Sequence, residues 1–220
     1  MCFAGLQSQM IEPKFTLLGF QGAASAAVKE RMFFPLQAVR YGRLNPATQA
    51  RESAVGQYGL VPSWVDASRG GAKYGRHCYN ARTESVFVKP SFRKAILSQR
   101  AVVPVEAFYE FPDKEQPPRH RLKVKGSAGA AFWLAAIWDH NAALGLSSVS
   151  VLTAGPMDLL AGYHSRSPLI LDDSQVGPWL DPKLRDAREI ATAFVAHSSQ
   201  GFEIEMEDWG KGTGQMEMAL

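Results

Sequence analysis

The chain has 220 residues, of which 46% are hydrophobic and 20% charged, with a net charge of +3. That balance is ordinary for one soluble globular domain with a sizeable core. Its two cysteines, Cys2 and Cys78, form no Cys-x-x-Cys pair, which excludes a disulfide scaffold, gives a zinc or redox site no support, and makes a reducing cytoplasm the expected compartment. The charge is unevenly placed. Residues 201–220 hold five acids and one base, leaving 23 bases against 16 acids in the first 200 residues, a net +7. A basic face of this kind suits a polyanionic partner.

In chain order, Cys2 to Leu6 is a short apolar run that predicts a strand holding the start of the chain inside the fold. The apolar stretch Phe15 to Val28 has a weak positive flank and is too short to span a membrane, so it reads as part of the fold. Ala23 to Met32 has helical composition, and Phe33 to Val39 reads as extended. Arg40 to Glu52 is polar with a turn at Asn45-Pro46. Val55 to Trp64 reads as a strand ended by Pro62, followed by a loop from Asp66 to Gly75 and a helix within Phe87 to Leu97 that starts near Pro90-Ser91.

Ala101 to Phe111 is strand-rich, and Pro112 to Arg119 is a proline-rich turn. Arg121 to Val124, Ala130 to Trp138, Val149 to Thr153 and Leu169 to Leu171 read as strands, with a short helix-like stretch at Gly155 to Gly162. Pro182 to His197 is helical by period, Phe202 to Met206 alternates like an edge strand, and the Gly-rich end from Gly210 is expected to be disordered. Strands dominate with no regular β-α-β alternation, which predicts an α+β fold.

Several residues carry candidate chemistry. If Met1 is removed, Cys2 bears an α-amine beside a thiol, with ordinary pKa values of about 7.7–8.0 and about 8.5. Such an aminothiol can attack an acyl group through sulfur, or condense with an aldehyde to close a five-membered thiazolidine. Glu110 lies between Tyr109 and Phe111, where desolvation would raise its pKa and make it a usable acid or base; the alternative is a surface glutamate on an alternating strand. His164 sits where a short helix meets a strand and either moves protons or caps the helix end. Asn80 and Arg82, two apart on an extended segment, would face the same way and could orient an amine and hold a phosphate. Tyr58 and Trp64 either stack on bases of single-stranded nucleic acid or belong to the core. No His-x-His or His-x-x-x-His pair occurs, so no metal is expected.

Taken together, Met1-Cys2, Tyr58 to Trp64 (Tyr-Gly-Leu-Val-Pro-Ser-Trp), Asn80 to Glu84 (Asn-Ala-Arg-Thr-Glu), Lys89 to Arg93 (Lys-Pro-Ser-Phe-Arg), Val102 to Phe111, and His164 to Pro168 (His-Ser-Arg-Ser-Pro) resemble the SOS response-associated peptidase, or SRAP, family from Cys2 to about Leu180. The resemblance implies one SRAP-like domain over 1–208, with mostly antiparallel, barrel-like sheets and several short helices, then a Gly-rich tail over 209–220. It implies a monomer with no cofactor that binds single-stranded DNA and crosslinks abasic sites through a thiazolidine. Carried over by motif, Cys2 is the nucleophile and also the group that removes Met1. Asn80 positions its amine, Glu110 moves protons and assists reversal, and His164 assists Schiff-base formation and sugar ring opening. Arg82 and Arg166 would grip phosphates.

The chain departs from the family's usual Met-Cys-Gly-Arg start with Phe3 and Ala4, has Tyr58 where Trp is usual, has Val65 where a second aromatic often follows Trp64, and has Ser167 in place of Met. These changes keep the reaction centre and weaken the expected grip on DNA. Two other classes remain: an N-terminal-nucleophile amidotransferase, for which no Asn-Gly-Asp-type loop occurs, and a non-catalytic single-stranded DNA-binding module.

Overall fold

A computed structural model describes residues 3–22, 31–113, 120–186, 190 and 201–209. Cys2, most of the helix expected over 23–32, the turn at 114–119, most of the helix expected over 182–197, and the tail from 210 lie outside the described residues.

The described strands are β1 (Ala4–Gln7), β2 (Arg31–Phe33), β3 (Ala38–Leu44), β4 (Arg51–Tyr58), β5 (Asn80–Arg82), β6 (Arg100–Val105), β7 (Ala107–Glu110), β8 (His120–Gly126), β9 (Phe132–Asn141), β10 (Leu146–Ala154), β11 (Ser167–Pro168), β12 (Ile170–Leu171) and β13 (Phe202–Asp208). Among the described residues three short α-helices accompany them, α1 (Glu12–Leu17), α2 (Arg93–Ser98) and α3 (Asp173–Leu180), with five 3-10 helices. The fold is α+β, as expected. Five strands close a barrel: β4–β3, β3–β6, β6–β9 and β9–β10 pair antiparallel, and β10 returns to β4 in parallel. β5 extends the β10 edge, also in parallel. A second, antiparallel sheet runs β13-β8-β7-β1-β2, with β13 at the edge where alternation in the sequence put it. Among the described residues no helix is long and apolar enough to cross a membrane.

Both faces of the barrel strands are covered, which is why β9 is apolar almost throughout. Val103, Leu134, Ala136, Val149 and Val151 pack with Tyr41 and Tyr58 in one cluster. The alternate residues Val102, Trp133, Ala135, Ile137 and Leu152 pack outward with Ile96 of α2 and Trp179 of α3. Trp133 also ties elements together. Its ring meets Phe15 edge-on at 5.5 Å, and its Nε1–H donates to Asp173 Oδ1 at 2.8 Å, where Lys14 also binds.

The structure refines the sequence reading at four places. The polar stretch 40–52, with its expected turn near Asn45-Pro46, is most of the β3–β4 hairpin. Its charges are satisfied at long range, Arg40 by Glu12, and Arg43 by Glu52 and the Trp138 ring at 3.9 Å. Met32, expected in a helix, is in β2 because it pairs with Leu6 of β1. The stretch 173–180 was not expected to be helical. Its helix is held by an Asp172–Gln175 capping box despite Pro178 inside it. The strand-rich stretch Ala101–Phe111 forms two strands, divided at Glu106 between the two sheets.

Gly59 ends β4 at φ +122°, and a Cβ there would sit 2.4 Å from the Gly75 carbonyl oxygen. Neither the backbone conformation nor the contact tolerates a side chain. Gly59→Ala should lower unfolding free energy by about 1–3 kcal/mol from backbone strain alone, measured by urea denaturation. An unchanged midpoint would mean that the 59–75 approach is not needed for folding.

Candidate active site

The site is built on the end of β7. Along that strand Glu110 shares a face with Phe108, which is buried in the barrel cluster, so the alternation that buries Phe108 also buries the carboxyl. Glu110 is 1% exposed. Burial pushes its pKa up from 4.5 to about 8. The opposite edge of β7 holds β1, where Ala4 pairs with Tyr109 and the Phe3 N–H donates to the Tyr109 carbonyl at 3.1 Å. Cys2 is one peptide bond from Phe3 in the sequence.

His164 comes from the segment after β10. Met157 and Leu160 anchor that segment in the barrel cluster, and the His164 N–H donates to the Leu160 carbonyl. The ring is 8% exposed, with Nε2 at 3.6 Å from Glu110 Oε2 and 3.1 Å from Asp113 Oδ1. Nδ1 lies 2.8 Å from the Arg166 carbonyl oxygen and 3.1 Å from the Arg166 N–H. Burial lowers the basicity of His164, opposed by its hydrogen bond to Arg166 and by the charge of Asp113. A carboxyl that keeps its proton near neutrality thus faces an imidazole that is reluctant to hold one. Such a pair can donate at one group and accept at the other.

The remaining candidates are placed as follows. Asn80 and Arg82 lie on β5 with Ala81 between them packed into the core, so the two share the other face, as the spacing predicted. Asn80 is nearly buried and its Oδ1 accepts from Tyr58 Oη at 3.5 Å, whereas Arg82 is exposed. Arg82 is paired opposite Thr153 of β10, and the Thr153 carbonyl accepts from Arg166 Nη2 at 2.7 Å. Arg166 is therefore close to the site, but its guanidinium is engaged. It makes a two-pronged bond to Glu84 at 2.6 and 2.8 Å, and Nε donates to Thr153 Oγ1. That hydrogen bonding holds Glu84 at about 2.

Tyr58 has no exposed surface and its ring packs between Phe33 and Tyr79, so in this fold it is a core aromatic with no face for a base. Trp64 is 43% exposed, with Tyr74 edge-on at 5.6 Å and Arg69 over the ring at 5.4 Å. Asp139 and Asn141 at the end of β9 hold its loop by bonds to Ser63, Pro62 and Val65.

Two features were missed in the sequence. Asp113 looked like part of a turn, and its approach to His164 follows only from the fold. Phe3, the departure beside Cys2, packs on Phe34 at 5.5 Å and Phe111 at 5.1 Å, and Phe111 in turn packs on Trp209. An aromatic cluster thus holds the backbone next to Cys2.

Comparison with known proteins gives a consistent placement. The model of the SOS response associated peptidase (SRAP) family matches residues 1–208. The abasic site processing protein YoqW of Bacillus subtilis is 31% identical over 150 residues, which is 67% of this chain and 65% of that protein. The matched stretch thus spans about two-thirds of that relative's length. YoaM of the same organism, also named an abasic site processing protein, is 28% identical over 130 residues, 58% of this chain and 56% of its own. Crystal structures of proteins from Bordetella bronchiseptica and Bacteroides thetaiotaomicron share the fold. Their TM-scores are 0.76 and 0.78 at 22% identity, covering 94% and 93% of this chain and 100% and 91% of theirs.

Proposed function

The chain belongs to the SRAP family, and on that premise we propose that it binds single-stranded DNA carrying an abasic site and captures the lesion covalently through Cys2. The observation that carries the reading is the buried Glu110–His164 pair, 3.6 Å apart, at the end of the strand to which Phe3 is bonded. Attack of the Cys2 thiol on the preceding peptide bond moves the methionyl group onto sulfur, and hydrolysis of that thioester by water releases methionine and frees both the α-amine and the thiol. As the abasic sugar ring opens, His164 takes the proton of the C1′ hydroxyl and returns it to O4′ as the C1′–O4′ bond breaks, and an aldehyde forms. The Cys2 amine adds to that carbon. Glu110, protonated near neutrality, gives its proton to the departing hydroxyl, and water leaves to give a Schiff base. The thiol then adds to the same carbon, the nitrogen takes up the thiol proton, and the thiazolidine closes. The net change is aldehyde plus aminothiol to thiazolidine and one water. Asn80, nearly buried on the face it shares with Arg82, holds the amine, and the same groups run in reverse release the DNA.

The experiment is intact mass after incubation with an abasic single-stranded oligonucleotide. The expected product has the combined mass of the Met1-free protein and the oligonucleotide less one water. Recovery of only free, Met1-bearing protein would overturn the reading.

The two arginines should differ in DNA binding. Each phosphate contact releases counterions, so removing one lowers the salt slope by about 1. Arg82 is exposed and should show that full effect in Arg82→Ala. Arg166→Ala should change the slope less, because Glu84 already neutralises its charge within the fold. Equal slopes in wild type and Arg82→Ala would place the phosphate contacts elsewhere.

A further inference from the structure

We infer that Asp113 is a positioning residue for His164: its carboxylate fixes the imidazole ring against Glu110 and stabilises the cation that forms when the ring takes up a proton. The inference rests on the proton-transfer role proposed above for His164, and it goes further by assigning a third acidic side chain to the site.

The geometry is that of a built contact. Asp113 Oδ1 lies 3.1 Å from His164 Nε2, while Oδ2 accepts the Ser165 N–H at 2.8 Å. The Asp113 N–H donates to the Tyr163 carbonyl at 2.9 Å. Three contacts from one residue therefore tie the turn after β7 to residues 163–165, on both sides of the histidine. The two oxygens divide the work: one holds the backbone, the other the ring.

Two arrangements of the neutral ring are possible, and the surroundings satisfy each in part. With the proton on Nδ1, the ring donates to the Arg166 carbonyl and turns a lone pair toward Glu110 and Asp113. With the proton on Nε2, the ring donates to Asp113 and Nδ1 accepts from the Arg166 N–H. An ionised Asp113 disfavours the first, because it would oppose a carboxylate to a lone pair, and favours the second and the doubly protonated cation. Burial raises the Asp113 carboxyl, but the Ser165 bonds and the charge of His164 outweigh it, so Asp113 stays ionised where Glu110 does not. The described groups that face His164 are the carboxyls of Glu110 and Asp113 and the Arg166 guanidinium. Among these groups Asp113 is the one that keeps a full negative charge at neutral pH. Its side chain is 45% exposed, so replacing it leaves no buried hole.

The test compares wild type, Asp113→Asn and Asp113→Glu by NMR titration of the His164 ring, and by the pH dependence of crosslinking to an abasic single-stranded oligonucleotide. Asp113→Asn should move the His164 titration to lower pH and shift its ring nitrogens toward the Nδ1–H form. The His164-dependent limb of the rate profile should move with it, and the rate near neutrality should fall about tenfold, below the ~10²–10⁴-fold expected for losing an acid–base group itself. Asp113→Glu, which restores the charge, should return the titration toward wild type. An unchanged His164 titration in Asp113→Asn, or a rate loss equal at every pH, would overturn the assignment by reducing Asp113 to a loop tether. If the wild type forms no crosslink, the proposed function fails, while the NMR titration still decides the Asp113 contact.

Discussion

Placing one extra residue ahead of Cys2 should abolish the crosslink to abasic DNA that survives without reductant, and Cys2→Ala should do the same. The two losses have different causes. In the extended protein the thiol remains, but the nitrogen beside it is now an amide and cannot form a Schiff base. In Cys2→Ala the amine remains, and a Schiff base forms that hydrolyses again because no sulfur follows. Ring closure is favoured because amine and thiol sit on adjacent carbons of one residue. Well-oriented intramolecular reactions of this kind reach effective molarities of about 10⁵–10⁸ M, so the second bond closes far faster than an outside thiol could supply it. Cys2→Ser should resemble Cys2→Ala, since a hydroxyl is a much poorer nucleophile than a thiol at neutral pH. Borohydride should trap a DNA adduct in Cys2→Ala and Cys2→Ser but not in the extended protein. The readout is a denaturing gel of the four proteins on one abasic single-stranded oligonucleotide, with and without reductant. If the extended protein crosslinks as well as wild type, the amine takes no part, and the chain is better read as a thiol hydrolase or a DNA-binding protein.

How much of this was legible in the sequence depended on whether a residue's partners were local. β9 announced itself because both faces are buried, and no long-range knowledge is needed to read an unbroken apolar run. β13 did so by alternation, with Glu203, Glu205 and Glu207 on the face that meets Lys125, Lys123 and Arg121 of β8. The β3–β4 hairpin was hidden by its charges. Arg40 is buried only because Glu12 and the Phe15 ring lie against it, and neither is near it in sequence. The parallel return of β10 to β4 and β5 left no local trace, although it closes the barrel and fixes Asn80 and Arg82. The site followed the same rule. Glu110 and His164 were weak candidates singly and persuasive only in their motifs. Tyr58 was readable either way until the fold buried it beside Phe33. Asp113 acquires meaning only when the turn after β7 meets residues 163–165.

Glu110→Gln should lower the crosslinking rate by about 10²–10⁴-fold while leaving non-covalent DNA binding intact, because the amide keeps the shape of the carboxyl and loses its proton transfer. The same substitution should make the protein more stable at alkaline pH. Burial raises the Glu110 pKa from 4.5 to about 8, so between those values the folded protein holds a proton that the unfolded chain has released. Stability then falls as pH rises through that window and levels off above about pH 8, because the folded state binds more protons than the unfolded one. A neutral glutamine removes the slope. Its advantage should be absent near pH 4, grow through pH 6–7, and reach on the order of 2–5 kcal/mol at pH 8 and above. Urea denaturation at pH 5 and pH 8 measures it, beside the crosslinking rate at pH 7. A structural carboxylate would behave oppositely, losing stability on neutralisation and affecting rate only through unfolding. Activity and stability moving in opposite directions would mark Glu110 as a buried acid kept for its chemistry at a cost to the fold. If Glu110→Gln is instead less stable than wild type at pH 8, the carboxyl is ionised and paired in the folded protein, and its role as the neutral proton donor fails.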